Sequence, residues 1–274
     1  MRVREAISRS SKVSNEDAYG YREDGVWVID GASSFDDGPL VAGLSPPAWL
    51  SHAASQLLHD VPWSGRGLAD VLAAVIEQLA DLGAAHGLAG SEFPTAAITL
   101  VRQAGDQVEV ASLGDCSVLV GVSGGKPVEV TDPQFDGAEE AVLARVRDRM
   151  SRGTPAEEAY REIRTELRQR RRERNSPAGL WVLGPDPEAA RHAAMRVVPA
   201  PPGTDVVLMS DGFTRVLWPF GLVGDAAELM ERVISDGAAR LLDELRDAEG
   251  RDPDCARVPR FGTHDDATVV WAQL

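Results

Sequence analysis

Four short acidic stretches recur along the chain, each at the edge of an apolar run. They are Asn15-Glu16-Asp17, Asp30-Gly31, Ser210-Asp211-Gly212 and Asp265-Asp266. Val26-Trp27-Val28-Ile29 precedes Asp30, Val206-Val207-Leu208-Met209 leads to Asp211, and Thr268-Val269-Val270-Trp271 follows Asp266. Carboxylates at strand ends do little for a core. Ionised ones are costly to bury unless they are paired or hold a metal. Four acids drawn together from such distant positions would repel one another unless a divalent cation held them. Oxygen donors of this kind suit a hard ion, with Mg²⁺ or Mn²⁺ the usual occupant.

The elements that must position these acids are legible as short apolar runs between turn signals. Residues 3–10 read as an edge strand. Residues 18–21 and 26–29 read as strands joined by a turn at Glu23-Asp24-Gly25, where Asp-Gly favours a hairpin. A loop over 32–40 contains Ser33, Ser34, Asp36, Asp37 and Gly38. Helices are expected over 47–59 and 68–86, the second with Leu68, Val71, Leu72, Val75, Ile76, Leu79 and Leu82 at helical spacing. Strands over 95–101, 107–113, 116–122 and 127–131 follow closely enough to form an antiparallel meander.

A helix over 138–150 comes next. A second helix is expected to open on Thr154 as N-cap, with Pro155 first and Glu157 third, a capping-box order, and to run to about 174. Its end holds Arg168, Arg170, Arg171, Arg172 and Arg174. Such a run complements the helix macrodipole as a solvated end. It could also dock an acidic or phosphorylated partner. Further strands are expected over 180–183, 195–198, up to 209, and over 267–272. Helices are expected near 188–193, 225–234 and 238–249, and an irregular loop over 251–260. His264 reads as a solvated loop histidine. Strands at both ends and in the middle, with helical pairs between, imply one layered α+β domain over 1–274. The stretch at about 136–175 is a helical insert within it.

Composition narrows the function classes. The chain has 274 residues, a formal net charge of −15 and an isoelectric point near 4.8. That balance argues against a nucleic-acid or membrane-surface binder, which needs a basic face. No run approaches the roughly 20 apolar residues of a membrane span. No apolar signal segment follows Met1, so a soluble, cytoplasmic protein is expected. Cys116 and Cys255 lack metal-ligand spacing, and Cys116 lies in an apolar run. Lys12 and Lys126 are the two lysines of an arginine- and alanine-rich chain, a composition that points to a GC-rich bacterial genome.

With Gly114-Asp115-Cys116-Ser117 added, five acidic motifs stand in the order and approximate spacing of the type 2C metal-dependent serine/threonine protein phosphatases. The resemblance runs from residue 12 to 271. It implies an α-β-β-α sandwich, with two antiparallel sheets flanked by helices. It implies two Mn²⁺ or Mg²⁺ ions, with a third possible, and a phosphoserine or phosphothreonine substrate in proteins. Asp30 resembles the carboxylate that bridges both metals, and the Gly31 carbonyl would bind one of them. Asp211 and Asp265 resemble ligands of the other. Glu16 and Asp17 resemble residues that hold water around the metals. Asp115, with Asp211, resembles the pair that takes a weaker third ion. Two such cations neutralise phosphoryl oxygens, and a water between them attacks the ester without a covalent enzyme intermediate.

The sequence also departs from the family pattern. Lys12 stands where the family usually has an arginine that grips the substrate phosphate, and lysine lacks the bidentate fork. Asp266 stands where the family usually has Asn; it could bond a neighbouring loop or add unwanted charge. Ala32 and Ser33 follow Asp30-Gly31, so no general acid is evident there. Phe93-Pro94-Thr95-Ala96 replaces the usual Gly-Ser-Thr-Ala strand start. These changes keep two alternatives open: a small-molecule phosphate monoesterase of the same fold, or a non-catalytic binding module.

Overall fold

The computed structural model describes residues 1–34 and 39–274. Asp36, Asp37 and Gly38 of the expected loop lie outside the described residues. The chain opens with β1 (Arg2–Arg9), β2 (Asp17–Tyr21) and β3 (Gly25–Gly31), followed by α1 (Pro46–Asp60) and α2 (Leu68–Ala85). The meander is β4 (Ala96–Ala104), β5 (Gln107–Leu113), β6 (Ser117–Val120) and β7 (Val128–Val130). The insert supplies α3 (Ala138–Ser151) and α4 (Ala156–Arg172). Then come β8 (Ala194–Pro199), β9 (Asp205–Met209), the short α5 (Asp211–Thr214), α6 (Ala226–Asp236), α7 (Ala238–Gly250) and β10 (Ala267–Gln273).

The strands form two five-stranded sheets, ordered β1-β10-β9-β6-β7 and β2-β3-β4-β5-β8. Every pairing is antiparallel. β1 is an edge strand, as the sequence implies, and it pairs with β10.

The period-2 alternation of side chains explains the layering. On β3, Trp27 and Ile29 point to a cluster shared with α1 and α2, while Val26 and Val28 point to a cluster between the sheets. On β9, Val206 and Leu208 enter that middle cluster, while Val207 and Met209 join a third cluster under α6 and α7. β10 divides the same way, Val270 and Ala272 against Ala267 and Val269. These strands are apolar on both faces because both faces are covered. The outcome is the α-β-β-α sandwich. Among the described residues, no helix is long and apolar enough to cross a membrane.

The insert has a separate small core of Val142, Leu143, Val146, Ala159, Tyr160, Ile163 and Cys255. Two local expectations fail. Thr154 does not cap α4: Pro155 occupies the N-cap with ψ 143°, and no side-chain capping bond forms. Pro155 keeps an extended backbone, so the first helical residue is Ala156 and the capping-box register is lost. Residues 180–183 do not form a strand. Leu183 makes one isolated bridge to Ala96, because β5 and β3 already occupy the rest of that sheet's middle. A capped start does occur on α1, where the Ser45 hydroxyl accepts from the Ala48 N–H at 3.4 Å.

Candidate metal centre

Strand register brings the acids together. The β2–β3 pairing sets Asp17 opposite Asp30. β9 ends one residue before Ser210, whose N–H donates to the Thr268 carbonyl at 3.0 Å. That bond sets Asp211, the first residue of α5, beside the Asp265-Asp266 approach to β10. Gly212 is needed for this closeness, since a Cβ there would lie 1.9 Å from the Asp266 carbonyl oxygen. Gly31 is confined likewise, 2.5 Å from the Glu16 carbonyl oxygen. Asp30, Gly31, Asp115, Asp211 and Asp265 all line one cavity of about 880 Å³, with Lys12 at its side. Glu16, Asp17 and Asp266 lie buried behind it.

The charges conflict. Burial, then repulsion from Asp211 and Asp17, pushes the Asp30 carboxyl well above the ordinary carboxylate range. Burial, then Asp265 and Asp115, does the same to Asp211. Burial raises Asp17 to about 7, although bonds from Thr268 and Ser210 work the other way. Asp115 is exposed to the cavity by surface area, but the cavity is deep, so desolvation raises it too, against the pull of Arg174. Three oxygens in or behind the cluster, Asp17 Oδ1, Asp30 Oδ2 and Asp266 Oδ1, are buried without a hydrogen-bond partner among the described residues.

Among the described residues, no three His, Cys, Asp or Glu side chains stand close enough, as placed, to grip one metal ion. The donor chemistry nonetheless fits a hard divalent cation. The donors are oxygens, several are orphaned, and the surplus is negative charge. Cys116 is buried beside them, and burial followed by the charge of Asp30 pushes its thiol well up, away from nucleophilic use.

Lys12 is drawn into the acid cluster. Its ammonium donates to Glu16 Oε2 at 2.7 Å, Ser33 Oγ at 2.6 Å, Asp266 Oδ2 at 3.2 Å and Asp265 Oδ1 at 3.4 Å. Partial burial works against its charge, but Asp265, Glu16 and Asp266 hold it above the usual lysine range. Asp266 also accepts the Glu16 N–H at 2.9 Å, so the residue that departs from the family pattern ties the 12–17 loop to the start of β10. Glu16 is held further by Ser33 at 2.5 Å and Ser45 at 3.0 Å.

The sequence profile of protein phosphatase 2C matches residues 6–249. The chain belongs to the protein phosphatase 2C family. A comparison with curated protein sequences gives no match. Among solved structures, the serine/threonine phosphatase PstP/Ppp of Mycobacterium tuberculosis is similar, with a TM-score of 0.59 and 18% identity over 100% of this chain and 99% of that one. Stp1 of Staphylococcus aureus gives 0.57 and 15%, over 100% and 96%. The PstP catalytic domain in complex with two manganese ions gives 0.55 and 16%, over 98% and 96%. At these identities the likeness is one of fold.

Within this phosphatase 2C frame, sequence reasoning missed four contributors. Arg215 stands one helical turn after Asp211, a spacing that could have flagged it. It is buried, donates to Asp265 Oδ2 at 2.9 Å and pairs with Glu249 at 3.1 Å. Glu249 is fully buried and also receives Arg246 at 2.5 Å and His264 Nδ1 at 2.9 Å. His264 is therefore anchored rather than free in solvent. Ser33 and Ser45 carried no signal beyond a loop and a cap.

The arginine run of α4 needs a larger correction. Arg172 is exposed and lies off the cavity, whereas Arg168, Arg171 and Arg174 are half-buried and line it, with the exposed Arg170 at its rim. Residues three or four apart share a helix face, so one edge of this face follows the insert's apolar core onto the site. Arg171 donates to the Ser33 carbonyl, and Arg174 donates to Thr95 Oγ1 at 2.6 Å. Burial lowers Arg171 to about 10, with Arg174 adding repulsion, and burial also lowers Arg174.

Proposed function

We propose that this phosphatase 2C chain hydrolyses phosphoserine and phosphothreonine in proteins, using Mg²⁺ or Mn²⁺. The observation that carries the reading is the cluster of Asp17, Asp30, Asp115 and Asp211, all raised by burial and mutual repulsion at one cavity, with orphaned oxygens among them. Ground states of that kind persist where a cation offsets them. Asp30 and the Gly31 carbonyl, with Asp211 and Asp265, would hold two ions, and Asp115 with Asp211 a weaker third. Bound there, divalent cations supply charge neutralisation at the phosphoryl group and an acidified water.

The chain's own side chains then have separable tasks. Arg215 fixes the rotamer of Asp265 from behind, where Glu249 holds it in place. Glu16 and Asp17, buried behind the cavity, would orient water around the bound cations from the second layer. Lys12 offsets the charge of Glu16, Asp265 and Asp266 and, with its bond to Ser33, keeps three segments of the chain in one cluster. An acid-floored cavity of this size admits a phosphorylated side chain together with flanking groups.

The test is hydrolysis of p-nitrophenyl phosphate by purified protein with Mn²⁺, followed by a panel of phosphopeptides against sugar and metabolite phosphates. Metal-dependent turnover with preference for peptides is expected. Turnover unaffected by EDTA would overturn the metal chemistry. Preference for a small phosphate monoester would replace the substrate class while leaving the chemistry.

A further inference from the structure

Lys12, the residue expected to grip phosphate, is committed elsewhere. Its three carboxylate partners and Ser33 take the ammonium within 3.4 Å, on the side of the site formed by the 12–17 loop and the start of β10. A dianionic ester entering the cavity must find its cationic partners on another wall. The wall that offers them is α4 and the turn after it. Arg174 is the deepest of the inward arginines, and its field is felt by both Asp115 and Asp30. A guanidinium presents five N–H donors. Among the described residues, the one side-chain hydrogen bond of Arg174 goes to Thr95. No carboxylate forms an ion pair with it among those residues, although the chain carries 43 acidic groups. Arg171 stands beside it with one N–H on the Ser33 carbonyl.

Two guanidiniums held close together repel, and burial penalises both charges. A doubly charged anion lying between them would offset that repulsion and the cost of burial.

We propose that Arg174, assisted by Arg171, binds the non-bridging oxygens of the substrate phosphoryl group, and that the insert thereby supplies the phosphate grip of this site. The inference rests on the phosphatase reading above. Planar N–H pairs match phosphate oxygens bidentately, which the Lys12 ammonium could not do even if it were released. The acids at the strand ends hold the cations, and the helical insert holds the anion. The two halves of the site come from different parts of the fold. Closing α4 onto the cavity is what brings the halves together.

The experiment measures inorganic phosphate binding to the Mn²⁺-loaded protein by calorimetry, alongside kcat and KM for p-nitrophenyl phosphate. Arg174→Ala is expected to weaken phosphate about ten- to hundredfold, the range for losing hydrogen bonds to a charged group. KM should rise by a similar factor, with Mn²⁺ affinity unchanged. Arg171→Ala is expected to weaken phosphate severalfold, and Arg174→Lys to recover part of the loss because charge returns without the fork. Arg172→Ala, on the exposed side of the same helix, should leave phosphate affinity at the parental value. If Arg174→Ala fails to fold, Arg174→Lys alone decides, with a severalfold loss expected. Phosphate affinity within twofold of parent in a folded Arg174→Ala protein, or a larger loss in Lys12→Ala, overturns the inference. A parent that hydrolyses the ester while Arg174 variants bind phosphate normally sinks this inference alone. A parent that binds neither Mn²⁺ nor phosphate removes the proposed function with it.

Discussion

The acid floor and the arginine wall face the same cavity but are built differently. The floor is fixed by the backbone. Asp17 and Asp30 sit in register on paired strands, and Asp211 and Asp265 adjoin strands backed by three apolar clusters. The wall hangs from α3 and α4, whose own core numbers seven buried residues, one of them Cys255 from a distant loop. The floor has surplus charge and orphaned oxygens held by a rigid frame. The wall has long side chains that reach the site only if two helices pack correctly. A rigid frame can store the repulsion a metal relieves, whereas a small core adjusts, which suits the part of a site that selects what enters.

The largest expected effect breaks the floor. Asp30→Asn should reduce Mn²⁺-dependent turnover by more than about a hundredfold, because losing residues that merely support metal ligands already costs about 10- to 100-fold. In EDTA the same variant should melt at a higher temperature than the parent, because a repelling buried charge is gone. A melt in EDTA that drops would show that Asp30 is structural.

The insert should yield first when its own core is thinned. Leu143→Ala is expected to cost about 2–5 kcal/mol locally. Hydrogen exchange should then rise across α3 and α4 while β3 and β4 stay protected, and KM should rise with Mn²⁺ affinity retained. Equal loss of protection in the sheets would mean that the two regions unfold as one.

A pH series separates the regions further. The Asp17 carboxyl is raised by burial to about 7 in the folded protein, above its ordinary 3.8. The folded state therefore holds more protons than the unfolded one between those values, so stability falls as pH rises through that window. Metal-stripped protein should melt higher at pH 5 than at pH 7.5, and Mn²⁺ at saturating concentration should shrink the difference. A melting temperature in EDTA that is flat or rising over this range would contradict the raised acids.

The smallest contrast lies in two hydroxyls. Ser45→Ala removes a helix cap and a bond to Glu16, and should cost about 1 kcal/mol. Thr154→Ala should change stability by less than about 0.5 kcal/mol, since Thr154 makes no capping bond. Thermal melts of both variants read the difference, and a larger loss at Thr154 would restore the capping box to α4.

Legibility followed the range of the forces involved. The strands around Asp30, Asp211 and Asp265 were readable because alternation and turn chemistry are local. The order of the acidic motifs was enough for the sandwich. The false strand over 180–183 and the missed N-cap at Pro155 arose where tertiary pairing or one residue's backbone overrode a local pattern. His264 was read as solvated because its anchor, Glu249, lies on α7, and nothing in the sequence joins the two.

What the sequence determined by itself is the set of acids beside strand ends, in an order and spacing shared with the phosphatase 2C family. What only the tertiary structure decided is the disposition of the cations the chain carries itself. Lys12 turns to Asp265 and Asp266 across some 250 residues, Arg215 braces Asp265, and Arg168, Arg171 and Arg174 are half-buried at the cavity while Arg172 is exposed away from it. The reason is physical. Local patterns fix the backbone path, but long charged side chains choose partners by distance through space, and that distance exists only once the sheets and the insert have closed around the cavity.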